Sequence, residues 1–157
     1  MSYGVGLALL GAALAVGLAG GGSSIGIGYV GQASAGAMTE DPEKFGRYLI
    51  LTALPGTQGI YGFIAAFLIM MKMNLLAGEV IELTTTQGWS LFVSGLPIAI
   101  TGLVSAIHQG KVCAAGVGLT IKRPADSAKA MVLAVFVEFY AVLGLLVTIF
   151  LVTGVKV

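Results

Sequence analysis

Charge is scarce in this chain. Of its 157 residues, 8 are Lys or Arg and 7 are Asp or Glu, 10% in all, where a soluble domain carries about 25%. So few ionised groups cannot cover the surface of a soluble monomer of this length. A net charge of +1 gives no electrostatic claim on nucleic acid. Histidine and cysteine occur once each, as His108 and Cys113, which excludes an intramolecular disulfide and leaves a metal cage without companions. A basic leader is missing too: Met1-Ser2-Tyr3-Gly4-Val5-Gly6 does not read as a secretory signal. No G-x-x-x-x-G-K-[ST] run occurs, so nucleotide hydrolysis is not expected of this chain.

What the chain does have is apolar residues, 57% of the total, with a mean hydropathy of +1.01. Disorder is incompatible with that. Hydrocarbon about 30 Å thick needs roughly 20 apolar residues per helix. Residues 5–38 contain no ionised group, 48–73 are apolar up to Lys72, and 88–121 are interrupted only by His108, Gln109 and Lys111. The last run, 130–155, contains one charge, Glu138. The runs do not alternate as barrel strands do. The chain therefore reads as a single all-α integral membrane domain over 1–157 with four transmembrane helices.

Two tight polar turns, 39–47 and 122–129, carry Lys44, Arg47, Lys122, Arg123 and Lys129. By the positive-inside rule they are cytoplasmic and both termini lie outside. The helices spanning 5–38 and 88–121 are longer than one bilayer and are expected to tilt or to project beyond it.

Sliding the sequence by 82 residues brings Gly20 onto Gly102, Ser23 onto Ser105, Gly28 onto Gly110, Pro42 onto Pro124 and Gly62 onto Gly144. The chain is a duplicated helical hairpin, with repeats near 5–73 and 87–155. Both copies run the same way, unlike the inverted repeats of many transporters. Such copies suit a unit that packs sideways around an axis normal to the membrane. Glu138 falls on Gly56 in the first repeat, so two hairpins share one intramembrane carboxylate.

Glu138 lies nine residues beyond Lys129, about 13 Å along a helix. An acid at that depth costs roughly 2.5–3.5 kcal/mol on insertion scales and marks a functional site; the bland alternative is a protonated structural carboxyl. On the second helix, positions 54, 58 and 61 share a face with 57 beside it. That face offers the amide of Gln58, the hydroxyl of Thr57 and the phenol of Tyr61. Pro55 frees a backbone acceptor in the same turn. Gln109 lies thirteen residues before its cytoplasmic turn and Gln58 eleven after its own, close to the depth of Glu138. Several neutral oxygens beside one carboxylate suit a hard cation such as Na⁺, whereas a proton needs only the carboxyl. The other reading of Gln and Thr here is hydrogen bonding between helices.

Pro55-Gly56-Thr57-Gln58-Gly59-Ile60-Tyr61-Gly62-Phe63, His108-Gln109-Gly110-Lys111 and Val137-Glu138-Phe139-Tyr140, on a duplicated hairpin, resemble the membrane rotor-ring proteolipid of V-type ATPases. The likeness is greatest to the bacterial sodium-translocating form (the K or c subunit) and covers essentially the whole chain. It implies a homo-oligomeric ring in a bacterial plasma membrane, with the first and third spans inside and the second and fourth facing lipid. It also implies Na⁺ held by the Leu54 carbonyl, the side chains of Thr57, Gln58 and Gln109, and Glu138, with Tyr61 bonded to the carboxylate. Proton-pumping relatives usually keep the Glu and lose some neutral ligands, so H⁺ is the alternative cargo. No organic cofactor is implied. The implied partners are identical subunits, a membrane stator subunit supplying a basic residue, and a central shaft with a soluble ATPase head docking near Pro42 and Pro124. The chain itself is then a non-catalytic subunit.

Gly26-Ile27-Gly28-Tyr29-Val30-Gly31 matches a dinucleotide fingerprint, but inside an apolar helix it reads as close packing. His108 and Gln109, about 100° apart on a helix, cannot both face one site. Lys111 either snorkels to the headgroups or marks an earlier exit of its helix. A four-helix channel or transporter subunit and a purely structural tetraspan are the competing readings. Glu138 argues against the last, and the parallel repeat with no wide polar stripe argues against a pore.

Overall fold

The computed structural model describes residues 2–157. Helix α1 (Tyr3–Glu40) is followed by α2 (Phe45–Ala53) and α3 (Thr57–Lys72), then α4 (Thr85–Lys122) and α5 (Ser127–Gly154). Four stretches are long and apolar enough to cross a membrane: Tyr3–Glu40, Pro42–Lys72, Thr85–Lys122 and Pro124–Gly154. Among the described residues there is no strand. The fold is an all-helical membrane protein built as two hairpins.

Local chemistry accounts for the ends. Ser2 caps α1 by accepting the Val5 N–H at 3.3 Å, one of the donors a helix start leaves unmatched. Thr84 and Gln87 form a reciprocal capping box on α4. Between the hairpins, Asn74 and Gly78 take left-handed conformations, at φ 58° and 83°, which these residue types tolerate best. Each of the two basic turns contains a single 3₁₀ turn started by proline: Pro42–Lys44 and Pro124–Asp126. Asp41 pairs with Lys44, and Asp126 pairs with Lys129 at 2.7 Å. The Lys44 bond holds the Asp41 carboxyl below its ordinary pKa. The Arg47 guanidinium donates to the Pro124 carbonyl and so ties one turn to the other.

The second span departs from the single run expected over 48–73. It is divided by a 3₁₀ turn at Leu54–Gly56, because Pro55 cannot complete the i→i−4 ladder and its ring crowds the preceding turn. Pro97 has no such effect; it lies inside a continuous α4. There the Ile98 N–H reaches Thr148 Oγ1 at 3.3 Å and Thr101 Oγ1 donates to the Pro97 carbonyl at 2.8 Å.

Helices α1 and α4 pack closely along their length because glycines remove the side chains between them. A Cβ on Gly11 would sit 2.6 Å from Phe92 Cα, one on Gly22 2.6 Å from the Leu103 carbonyl oxygen, and one on Gly102 2.8 Å from Ala19 Cβ. Larger buried residues gather toward the two ends. Val5, Ile69, Met73, Leu83 and Leu91 form the cluster at the terminal end. Val30, Tyr48, Leu51, Cys113 and Val117 form the other. Between them lies a smaller group of Ala15, Ala65, Ile98 and Ala141. Outward faces of α3 and α5 are apolar, with Phe63, Phe67, Phe136 and Phe150 exposed, as lipid contact requires. At 38 residues each, α1 and α4 run about 57 Å, well beyond one hydrocarbon thickness.

Candidate ion-binding site

Six residues that the sequence pattern marks meet where α3, α4 and α5 converge. Gln58 follows the 3₁₀ turn by two residues and is fully buried; so is Gln109 on α4. The Gln58 Nε2 donates to Gln109 Oε1 at 2.6 Å. Gln109 Nε2 in turn donates to Glu138 Oε2 at 3.1 Å and to the Ala134 carbonyl at 3.2 Å. The Tyr61 hydroxyl donates to Glu138 Oε1 at 2.6 Å. Thr57 Oγ1 lies 3.1 Å from the Leu54 carbonyl oxygen and 3.3 Å from Gln58 Oε1, and its single hydrogen serves those two acceptors.

The break at Pro55 has a direct consequence for this geometry. Because the turn tightens there, the Leu54 carbonyl accepts from the Thr57 N–H in an i→i+3 bond and stands beside the Thr57 hydroxyl. Leu54, Thr57, Gln58 and Tyr61 therefore present a carbonyl, a hydroxyl, an amide and a phenol within two helical turns. Opposite them, α5 supplies the carboxylate and α4 the second amide. Both Glu138 oxygens are bonded, as a half-buried carboxyl in an apolar span demands.

Ser105 belongs to the same network, although the sequence pattern does not mark it. Its Oγ accepts from Gln58 Nε2 at 3.2 Å and donates to the Val137 carbonyl at 3.0 Å. Two signals point to it: it stands four residues before Gln109 on one helix face, and it is the repeat counterpart of Ser23. Ser23 itself accepts the Gly59 N–H at 2.8 Å. At Gly56, the counterpart of Glu138, an added Cβ would meet only Ile27 Cδ1, at 3.4 Å. The first hairpin thus offers room but no charge.

Other sequence candidates stay apart. His108 is exposed and does not bond to the network, and Lys111 is exposed one turn further on. Cys113 is buried in the cluster around Tyr48. Among the described residues, no three His, Cys, Asp or Glu side chains gather as a metal cage would. The glycine run 26–31 lies inside α1; a Cβ on Gly26 would come 2.9 Å from Pro55 Cβ, so Gly26 serves packing between spans, while one on Gly28 or Gly31 would meet nothing within 4 Å.

Comparison with known proteins agrees with the duplication. The model of the family described as the ATP synthase C subunit matches residues 10–69 and again 92–151, an offset equal to the 82-residue repeat. The chain is 44% identical to the V-type sodium ATPase subunit K of Enterococcus hirae over 145 residues, covering 92% of this chain and 89% of that one. It is 43% identical to the A-type ATP synthase subunit K of Methanocaldococcus jannaschii over 149 residues, 95% of this chain and 63% of the relative. Identity to the 16 kDa proteolipid of the V-type proton ATPase of Nephrops norvegicus is 31% over 112 residues, 71% and 68% of the two chains. Matched in both of its hairpins, and along nearly all of its length by a V-type relative, the chain belongs to the family of the ATP synthase C subunit.

Proposed function

We propose that this protein is the ion-carrying subunit of a rotary ATPase ring, and that each copy carries one Na⁺ at Glu138. The observation that supports sodium is the oxygen supply around that carboxylate. Two amides, a hydroxyl and a backbone carbonyl form one hydrogen-bonded chain that ends on Glu138. A proton would need none of them, whereas Na⁺ needs several oxygens to replace its hydration shell.

In this reading Glu138 supplies the charge, and the Gln58, Gln109, Thr57 and Leu54 oxygens complete the coordination. Gln109 turns its amide so that oxygen rather than NH₂ faces the ion, since each amide carries both. Tyr61 keeps its bond to the carboxylate and closes the site toward lipid. Release requires a positive group to compete for Glu138, and a basic residue of a neighbouring stator subunit fills that role. Nucleotide chemistry belongs to the soluble head, which reaches the ring through a shaft docked on the turns at Pro42 and Pro124. The domain is single over 1–157, with its repeats near 5–73 and 87–155. Those turns face the cytoplasm and the termini face outward.

A carbodiimide attacks only the protonated carboxyl, so labelling of Glu138 in the purified ring reads its occupancy. Labelling is expected to fall as Na⁺ rises at fixed pH. More Na⁺ should be needed as pH drops, because both cations compete for one group. Labelling indifferent to millimolar Na⁺ would make the cargo H⁺ and the amides hydrogen-bond supports.

A further inference from the structure

The 82-residue repeat turns the contact between the two hairpins into a template for a contact between chains. Inside one chain, α1 lays Gly11, Gly22 and Gly26 against Phe92, Leu103, Ala106 and Gly110 of α4. The residues one repeat away from these lie on the two faces that α1 and α4 leave open. Moving the α1 side forward by 82 and the α4 side back by 82 gives a second set of pairs. Gly11 with Phe92 becomes Val93 with Leu10, and Gly22 with Leu103 becomes Val104 with Gly21. Gly26 with Ala106 and Gly110 becomes His108 with Ser24 and Gly28.

The second set is open in the single chain. Val93 is 49% exposed, Val104 50% and Leu10 49%; Ser24 and His108 are exposed as well. A Cβ on Gly20, Gly21 or Gly28 meets nothing within 4 Å, although Gly102 and Gly110, the repeat counterparts of Gly20 and Gly28, are hard against α1. These glycines have a packing residue's identity and no packing partner within the chain. On the α4 side, Val104, His108 and Tyr140 border a groove of about 390 Å³.

We infer that the His108 groove seats the next copy's α1 at Ser24–Gly28, in the register set by the internal repeat. This rests on the ring reading above and adds to it the residues at the seam. Bulk is distributed differently from the internal contact. Within the chain, the α1–α4 glycines meet backbone or small side chains. At the seam, Val104 and His108 are the knobs, while the next copy's Gly21, Ser24 and Gly28 are the trough. His108 can donate to the Ser24 hydroxyl, whose hydrogen is already given to the Gly21 carbonyl at 2.8 Å. The same operation carries the Arg47 bond to Pro124 onto Lys129 and the next copy's Pro42, a basic side chain and a proline in both cases.

The test is a cysteine pair, Ser24→Cys with His108→Cys, in the complete ATPase in membranes, joined by oxidation or a short bismaleimide. The double variant is expected to give a ladder of covalent multimers under denaturing conditions, and neither single variant should. Ser24→Cys with Val93→Cys, about 22 Å out of register along the helix, should give none. A ring of normal native mass without a ladder would overturn this seam but leave the ring standing. A protein that extracts natively at its 15.9 kDa chain mass would overturn the ring itself. As a second readout, Gly28→Leu should keep a helical chain and lose the ring, since its side chain has space only in the monomer. A ring of unchanged mass and heat resistance carrying Gly28→Leu would also overturn the seam.

Discussion

At the scale of the residue, the proposed function concentrates on one carboxyl and the oxygens that make its charge tolerable. Glu138→Gln is nearly isosteric, so the ring is expected to assemble, while ATP-driven Na⁺ uptake falls to background. Uptake near the unmodified level in a fully substituted ring would remove Glu138 from its role. Ser105→Ala takes one acceptor from Gln58 Nε2 and leaves the other, Gln109 Oε1. A net hydrogen bond is worth about 1 kcal/mol, so Na⁺ binding should weaken roughly fivefold, measured by protection from carbodiimide. Ser105→Thr, which restores the hydroxyl, should recover most of it. Glu138, Gln58 and Gln109 could be read from the sequence because a polar group inside a long apolar run is conspicuous. Ser105 is fainter: serine is ordinary in membrane helices, its spacing from Gln109 and its repeat partner Ser23 are weak signals, and its neighbours across the hairpin give it a role.

At the scale of the element, the sequence supplies the four spans and their turns, while the behaviour of each proline depends on what surrounds it. Pro55 is followed by Gly56 and Thr57, and the chain tightens there into a 3₁₀ turn. Pro97 stands in a helix whose neighbour offers Thr148 to the next N–H, and α4 continues unbroken. Pro55→Ala is expected to lengthen the regular helix through Leu54–Gly56 and move the Leu54 carbonyl away from the Thr57 hydroxyl. Na⁺ protection should weaken by about tenfold while the ring keeps its mass; an unchanged Na⁺ requirement would show that the tight turn does not shape the site. Glycines divide in the same way. Gly110→Leu would drive a side chain into the Gly26 backbone, whose carbonyl carbon stands 2.8 Å from the added Cβ. Overpacking of about 1–3 kcal/mol or more should appear as a chain that no longer extracts in helical form.

At the scale of the whole molecule, the distribution of charge sets which way the protein faces. Lys44, Arg47, Lys122, Arg123 and Lys129 gather at the two proline turns, joined there by the Arg47 bond to Pro124. The other end has Lys72, whose Nζ donates to the Thr153 carbonyl at 3.4 Å, and Lys156. A bias of this kind, counted close to the ends of the spans, orients a membrane protein with its basic side inward. The duplicated hairpin reinforces it, because both repeats contribute the same sign at the same end. Glu43→Cys and Arg123→Cys, both at exposed positions in the turns, are therefore expected to react with an impermeant maleimide in inverted vesicles and not in right-side-out cells. Val157→Cys should show the reverse. Cys113 is buried and should stay silent in both, which makes the unmodified protein the blank. Labelling of the turn positions from outside the cell would reverse the proposed topology and with it the side proposed for a soluble ATPase head.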